Sequence, residues 1–200
     1  AEPPRWLLDC APLNVCYGIH DELPEGPCSY HVLYGGNMAI RAEWIRHGYR
    51  FDEAYGPNDT PCFAMGGETD FVRQLAAAGG AAWHARGAVV RHIIPAEHMH
   101  LNWLLNRAGN FGRGQYRVGG DALARAGDDA AHVARRLRLA IAGSRWRLLL
   151  ARLKGDHTAR FHVLWRLNYL AGLAAQHDIG RSQPAAAPPL GGELAQPRDA

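Results

Sequence analysis

Two carboxylates stand beside a glycine pair in Gly66-Gly67-Glu68-Thr69-Asp70-Phe71. The first turn of a helix favours ionised acids, because the helix N-terminus carries a partial positive charge. Glycines let another molecule approach the backbone closely. An ionised carboxylate beside such an opening is what a general base needs. Glu68 and Asp70 are therefore candidate catalytic acids, although the same pattern also serves as an ordinary helix cap.

Histidines and arginines follow. His92 ends an apolar run, and a neutral imidazole there is a competent metal ligand. Glu97, His98 and His100 lie close together, but an i, i+2 spacing sends the two histidines to different sides of a helix. Arg107 and Arg113 could meet phosphate, which guanidinium pairs bidentately. Trp103 reads as a packing residue or as one wall of a pocket.

These residues need elements to hold them. The proline-rich stretch 1–34 reads as irregular. Asn37 to Ile40 reads as a short buried strand entered through Gly35-Gly36, then Arg41 to His47 as a brief helix stopped by Gly48. The apolar stripe of Phe71, Val72 and Leu75 predicts a helix over 69–78, capped by Glu68 or Thr69 and ended by Gly79-Gly80. Ala81 to His84 and Ala88 to Ile94 read as two strands joined at Arg86-Gly87. A further helix begins at Leu101. From Asp121 to about Gln176 the pattern is helical, broken at Gly155-Asp156.

The chain has 200 residues, 48% of them hydrophobic and 20% charged, which suits a globular core. A formal charge of only +3 does not argue for nucleic acid. Nor do the arginines come with stacking motifs or a recognisable reading fold, so nucleic acid is not an expected partner. From Arg135 to Lys154 the charged residues are all basic. Arginine and tryptophan on amphipathic helices suit an anionic membrane face, and packing on the chain's own domain is the alternative. No apolar run reaches the length of a membrane span, and no signal peptide or initiator methionine is visible, which reads as a fragment or processed product. Cys10, Cys16, Cys28 and Cys62 lack zinc spacing and read as buried reduced thiols of a cytosolic protein. The last stretch, 181–200, is rich in Pro, Ala and Gly and reads as a disordered tail.

The order of motifs resembles the second half of family 2 (GT-A type) glycosyltransferases. Tyr34-Gly35-Gly36-Asn37-Met38-Ala39-Ile40-Arg41 is similar to their G-[GA]-N-M-A-[FI]-R segment. Gly48-Tyr49-Arg50-Phe51-Asp52-Glu53-Ala54-Tyr55-Gly56 matches G-x-F-D-E-x-[FY]-G, and the Gly66–Phe71 loop matches G-E-D-T-D-[LF]. Val90-Arg91-His92 and the stretch from His98 to Gly112 resemble the V-x-H strand and the R-x-x-W-L-x-x-R helix. Pro3-Pro4-Arg5-Trp6-Leu7 looks like the proline-tryptophan segment after the donor-binding half. The resemblance covers residues 1 to about 117.

The resemblance implies an α/β fold, the C-terminal part of a GT-A mixed sheet with a helical C-terminal extension. It implies an acceptor and catalytic-base half over 1–118; beyond it the pattern of the chain itself reads as a basic amphipathic helical extension over 119–180 and the tail over 181–200. The implied reaction is inverting transfer from a nucleotide-sugar donor to a glycan or lipid-linked acceptor of the cell envelope. The implied place is the cytoplasm, at the inner face of the membrane. Glu68 falls where the family's base aspartate stands, one methylene longer, and Asp70 falls on the helix-side acid. Gly35, Gly36, Asn37, Gly67, Trp103 and Arg107 would line the substrate cleft, and His92 would reach the metal. The chain departs from the family in lacking the V-S-V-[IV]-[IV]-P-x-[YF]-N strand and D-x-D. In the family those elements hold the nucleotide and a divalent metal, Mg or Mn, so the metal would be held mostly by the N-terminal half. A non-catalytic remnant or membrane-associated binding module is the alternative.

Overall fold

A computed structural model describes residues 2–19, 23–57, 61–119, 121–124 and 128–182. The chain is mainly helical. In order come α1 (Arg5–Cys10), α2 (Leu13–Tyr17), β1 (Gly26–Cys28), α3 (Ala42–Arg46), α4 (Gly67–Ala77), β2 (Ala82–His84), α5 (Leu101–Arg117), α6 (Ala130–Leu153) and α7 (His157–Ser182). Three single 3-10 turns lie between them, over Tyr30–Val32, Gly35–Asn37 and Ala96–Met99.

Sheet structure among the described residues is one antiparallel pair, with Gly26 opposite His84, Pro27 opposite Trp83 and Cys28 opposite Ala82. The expected hairpin between 81–84 and 88–94 is therefore replaced. β2 takes its partner from the N-terminal stretch that reads as irregular. Residues 88–94 form no strand, and Val89 and Ile93 are 78% and 87% exposed. The expected strand at 37–40 is also corrected. Its first residue closes a 3-10 turn, and Met38 and Ile40 pack against Phe71, Val72 and Leu75 of α4 instead of entering a ladder.

Helix ends follow local chemistry. Gly18 (φ +65°) closes α2, Gly48 (φ +93°) follows α3 and Gly155 (φ +67°) separates α6 from α7, each in the left-handed region that suits glycine. Asp129 caps α6 by accepting from the His132 amide at 2.9 Å. α4 starts at Gly67, two residues earlier than expected, with Gly66 as its cap and no side-chain cap bond.

Burial is divided among three clusters. Leu7, Cys16, Tyr17 and Leu104 join α1, α2 and α5, with Phe161 of α7. Val133, Leu137, Leu170 and Leu173 join α6 to α7. Phe71, Val72 and Leu75 hold α4 under Tyr30, Trp44 and Tyr49.

The helices of the expected extension are packed on the rest of the chain. α7 lies along α5 with backbones in contact, because small residues face one another. A Cβ at Gly112 would overlap the Tyr169 carbonyl, and one at Gly172 would overlap the Gly109 carbonyl. Tyr169 donates its hydroxyl to Asp121 at 2.5 Å, tying the α5–α6 connection to α7. Cys10 and Cys16 are buried as expected, whereas Cys28 is half-buried and Cys62 exposed, and none is in a disulfide. The expected disordered tail lies almost wholly outside the described residues.

Candidate functional site

The acidic loop is positioned by α5. Asn110 is buried, accepts from the Phe63 amide at 3.2 Å and donates to the Pro61 carbonyl at 3.1 Å. Its own carbonyl accepts from the Met65 amide at 3.1 Å. Gly114, one turn on, lets the Met65 carbonyl rest directly on the helix, since a Cβ there would overlap it. Residues 61–65 are thereby delivered to Gly66, whose φ of +99° turns the chain into α4.

The two acids of this turn have different surroundings. Asp70 is buried and binds Arg73 at 2.7 Å and Gln74 at 2.8 Å. Both of its oxygens are thus engaged within α4. Glu68 is half-buried and faces Gly35, where a Cβ would stand 3.5 Å from Glu68 Cβ and 3.8 Å from Cδ. Burial holds the Tyr34 hydroxyl above its usual range, and the nearby Glu68 charge adds to the effect. Burial likewise pulls the Arg107 guanidinium below its usual range, against the opposing pull of Cys16, Glu68 and Tyr17. The Glu68 charge thus acts on both Tyr34 and Arg107.

An aromatic wall continues from Arg107. The guanidinium lies 5.5 Å from the Trp103 ring centroid, and its Nε donates to the Val15 carbonyl at 3.3 Å. Trp103 stacks on Tyr17 at 5.8 Å and on His98 at 4.4 Å. The Tyr17 hydroxyl donates to the His98 carbonyl at 2.9 Å, and Gly18 lies against the Tyr34 ring. His92 Nδ1 stands 2.6 Å from the Tyr17 carbonyl. A carbonyl only accepts, so that nitrogen carries the proton and the lone pair of the neutral ring sits on Nε2.

Of the sequence-predicted residues, the fold gathers Glu68, Gly35, Arg107, Trp103 and His92 around Tyr17 and Tyr34. Gly36 is exposed with open space at its Cα. Asn37 does not face the cluster with its amide, which donates to the Ala88 carbonyl at 2.6 Å and holds that loop. Gly67 is covered by Tyr55, 3.0 Å from where a Cβ would stand. Tyr55 in turn lies under Arg117 at 4.7 Å, and Arg117 reaches Asp52 at 3.4 Å. Tyr17, Tyr34 and Asn110 escaped the sequence reading. Tyr34 adjoins Gly35-Gly36, but nothing in the spacing ties Tyr17 or Asn110 to the acidic loop.

Among the described residues no group of three or more His, Cys, Asp or Glu could hold a metal ion. These residues do not by themselves form a divalent-metal site, and His92 offers at most one ligand. Two open cavities of about 270 Å³ lie elsewhere, one at the α6–α7 turn and one between the N-terminus and His100. Compared with known proteins, the chain matches no family model, no curated protein and no solved structure.

Proposed function

We propose that this chain is the acceptor-side, base-bearing half of a family 2 (GT-A type) glycosyltransferase. The observation that carries the reading is the contrast within one helical turn. Asp70 is consumed by Arg73 and Gln74, while Glu68 faces the exposed Gly35 with Arg107 within electrostatic reach.

Glu68 takes the proton from an acceptor hydroxyl as that oxygen attacks the anomeric carbon of a nucleotide-sugar. The bond from that carbon to the diphosphate breaks, the nucleoside diphosphate departs with the electron pair, and the configuration inverts. Arg107 supplies a fixed positive charge for the phosphate side, and the half-buried Trp103 beside it offers the aromatic edge of the acceptor side. The described residues do not make a divalent-metal site by themselves, so a metal would be held by the donor-binding half. The donor-binding half, with its strand and D-x-D, must be supplied by chain outside these residues.

The test is sugar transfer from radiolabelled nucleotide-sugars. A family 2 donor-binding half fused ahead of the chain should restore turnover, and the isolated 200 residues should show none. Robust turnover by the isolated chain would overturn the half-enzyme reading. A folded fusion that binds donor and transfers to neither water nor any glycan acceptor would favour a non-catalytic remnant.

A further inference from the structure

α6 carries two apolar faces. Val133, Leu137, Ser144 and Ala151 are buried on the side that meets α7. On the opposite side Leu139, Trp146, Leu149 and Leu153 are 63%, 62%, 46% and 75% exposed. With Ala142, also exposed, they recur at alternating spacings of three and four residues, which makes one continuous stripe along a helix. Nothing in the fold of the described residues requires that stripe to be apolar.

Cations border it on both sides. Arg138, Arg145 and Arg152 are exposed and seven residues apart, so they form one row beside the stripe. On the other border Arg147 and Lys154 line the open cavity at the α6–α7 turn. Arg136 is held by Asp128, and α6 itself contains no acid.

We propose that this face of α6 docks flat on an anionic membrane surface, with the stripe entering the interface and the arginine rows meeting lipid phosphates and carboxylates. Charge complementarity selects this occupant. A second copy would bring arginine rows against arginine rows, which an α6 without acids cannot neutralise. A bilayer offers negative charge along the whole helix without demanding a register, and arginine stems can lie on apolar surface while their heads stay at the headgroups. Trp146, at the middle of the stripe, has the amphipathic ring that settles at such an interface. Among the described residues no helix is long and apolar enough to cross a membrane, so the contact lies on the surface. This inference stands on α6 alone and does not depend on the transferase reading.

The experiment is co-sedimentation of the full chain with vesicles of phosphatidylcholine alone and of phosphatidylcholine with phosphatidylserine, at low and high salt. The expected result is preference for the anionic vesicles, weakened by salt. R138Q/R145Q/R152Q should cut that binding about a hundredfold, since each arginine near an anionic surface is worth about fivefold. L149S/L153S should cut it on anionic vesicles while circular dichroism and melting stay unchanged, because both side chains are exposed. The charge-matched control R5Q/R41Q/R46Q, on α1, α3 and the turn before α3, should bind as wild type. Equal binding to both vesicle types, or equal loss in the control, would overturn the proposal. So would vesicle-independent dimerisation that L149S/L153S dissolves, which would assign the stripe to a second copy, or stripe-dependent capture of an acidic helical peptide with no vesicle binding.

Discussion

Gly35 lies against the flank of Glu68, with space for a methyl group and little more: a Cβ at position 35 would stand 3.7 Å from Glu68 Cγ. G35A should leave both fold and Glu68 nearly undisturbed, whereas G35F should displace the carboxylate. In a chain completed by a donor-binding half, G35F should melt within a few degrees of wild type, because residue 35 is exposed, yet lose most of its turnover. Full turnover by G35F would mean that Glu68 does not work at this surface.

Asn110 should prove to be a positioning residue for the acidic loop. N110A removes the two part-buried bonds that the Asn110 side chain makes to the Phe63 amide and the Pro61 carbonyl. The expected cost is about 1–3 kcal/mol, read by denaturant or thermal unfolding. Hydrogen exchange over residues 61–66 should rise in the same variant. Unchanged exchange there would show that the loop holds itself.

Two helical glycines should respond in opposite directions. G112A drives a Cβ into the Tyr169 carbonyl and should separate α5 from α7, costing about 1–3 kcal/mol or more. Gly143, inside α6, has open space at its Cα, so G143A should gain up to about 1 kcal/mol from helix propensity alone. For a chain of this size 1 kcal/mol moves the melting temperature by about 2–4 °C, which calorimetry resolves.

Stability should fall as pH climbs above about 9. Burial pushes the Cys16 thiol from an ordinary 9.0 up to about 12, and burial also pushes Tyr17 and Tyr55 from 10.0 up to about 12. A raised acid pKa means the folded chain keeps a proton that the unfolded chain releases. The contribution is therefore complete below the unfolded value and is lost as pH rises toward the folded one. The slope is at most about 1.4 kcal/mol per pH unit for each group. C16A should flatten the decline between pH 9 and 10, before the tyrosines join it, in melting curves taken across that range. An unchanged slope would mean the thiol is not protected in the fold.

Legibility in the sequence followed the range of the interactions. Helix stops at Gly48 and Gly155 are local backbone demands, and a single residue announces them. The acidic turn was legible for the same reason. The strand over 88–94 was misread because an apolar run says nothing about whether a partner lies beside it, and its valines stand exposed. β1 was hidden by Pro24 and Pro27, although an edge position tolerates proline. The gathering of Tyr17, Trp103 and Arg107 depends on α2 docking on α5, a contact between distant segments that no spacing encodes. The close approach of α5 to α7 is written in Gly109, Gly112 and Gly172, but glycine in a helix reads first as a weak helix former.

The most direct measurement compares E68Q and D70N side by side, for turnover and melting temperature, in the chain completed by a donor-binding half. Glutamine keeps the shape of Glu68 and cannot take the acceptor proton. E68Q should therefore keep its stability and donor affinity and lose about 10²- to 10⁴-fold in rate. D70N should weaken the contacts to Arg73 and Gln74, lower the melting temperature and retain most of its rate. The account is contradicted if D70N abolishes turnover while E68Q stays near wild type, or if neither substitution changes the rate.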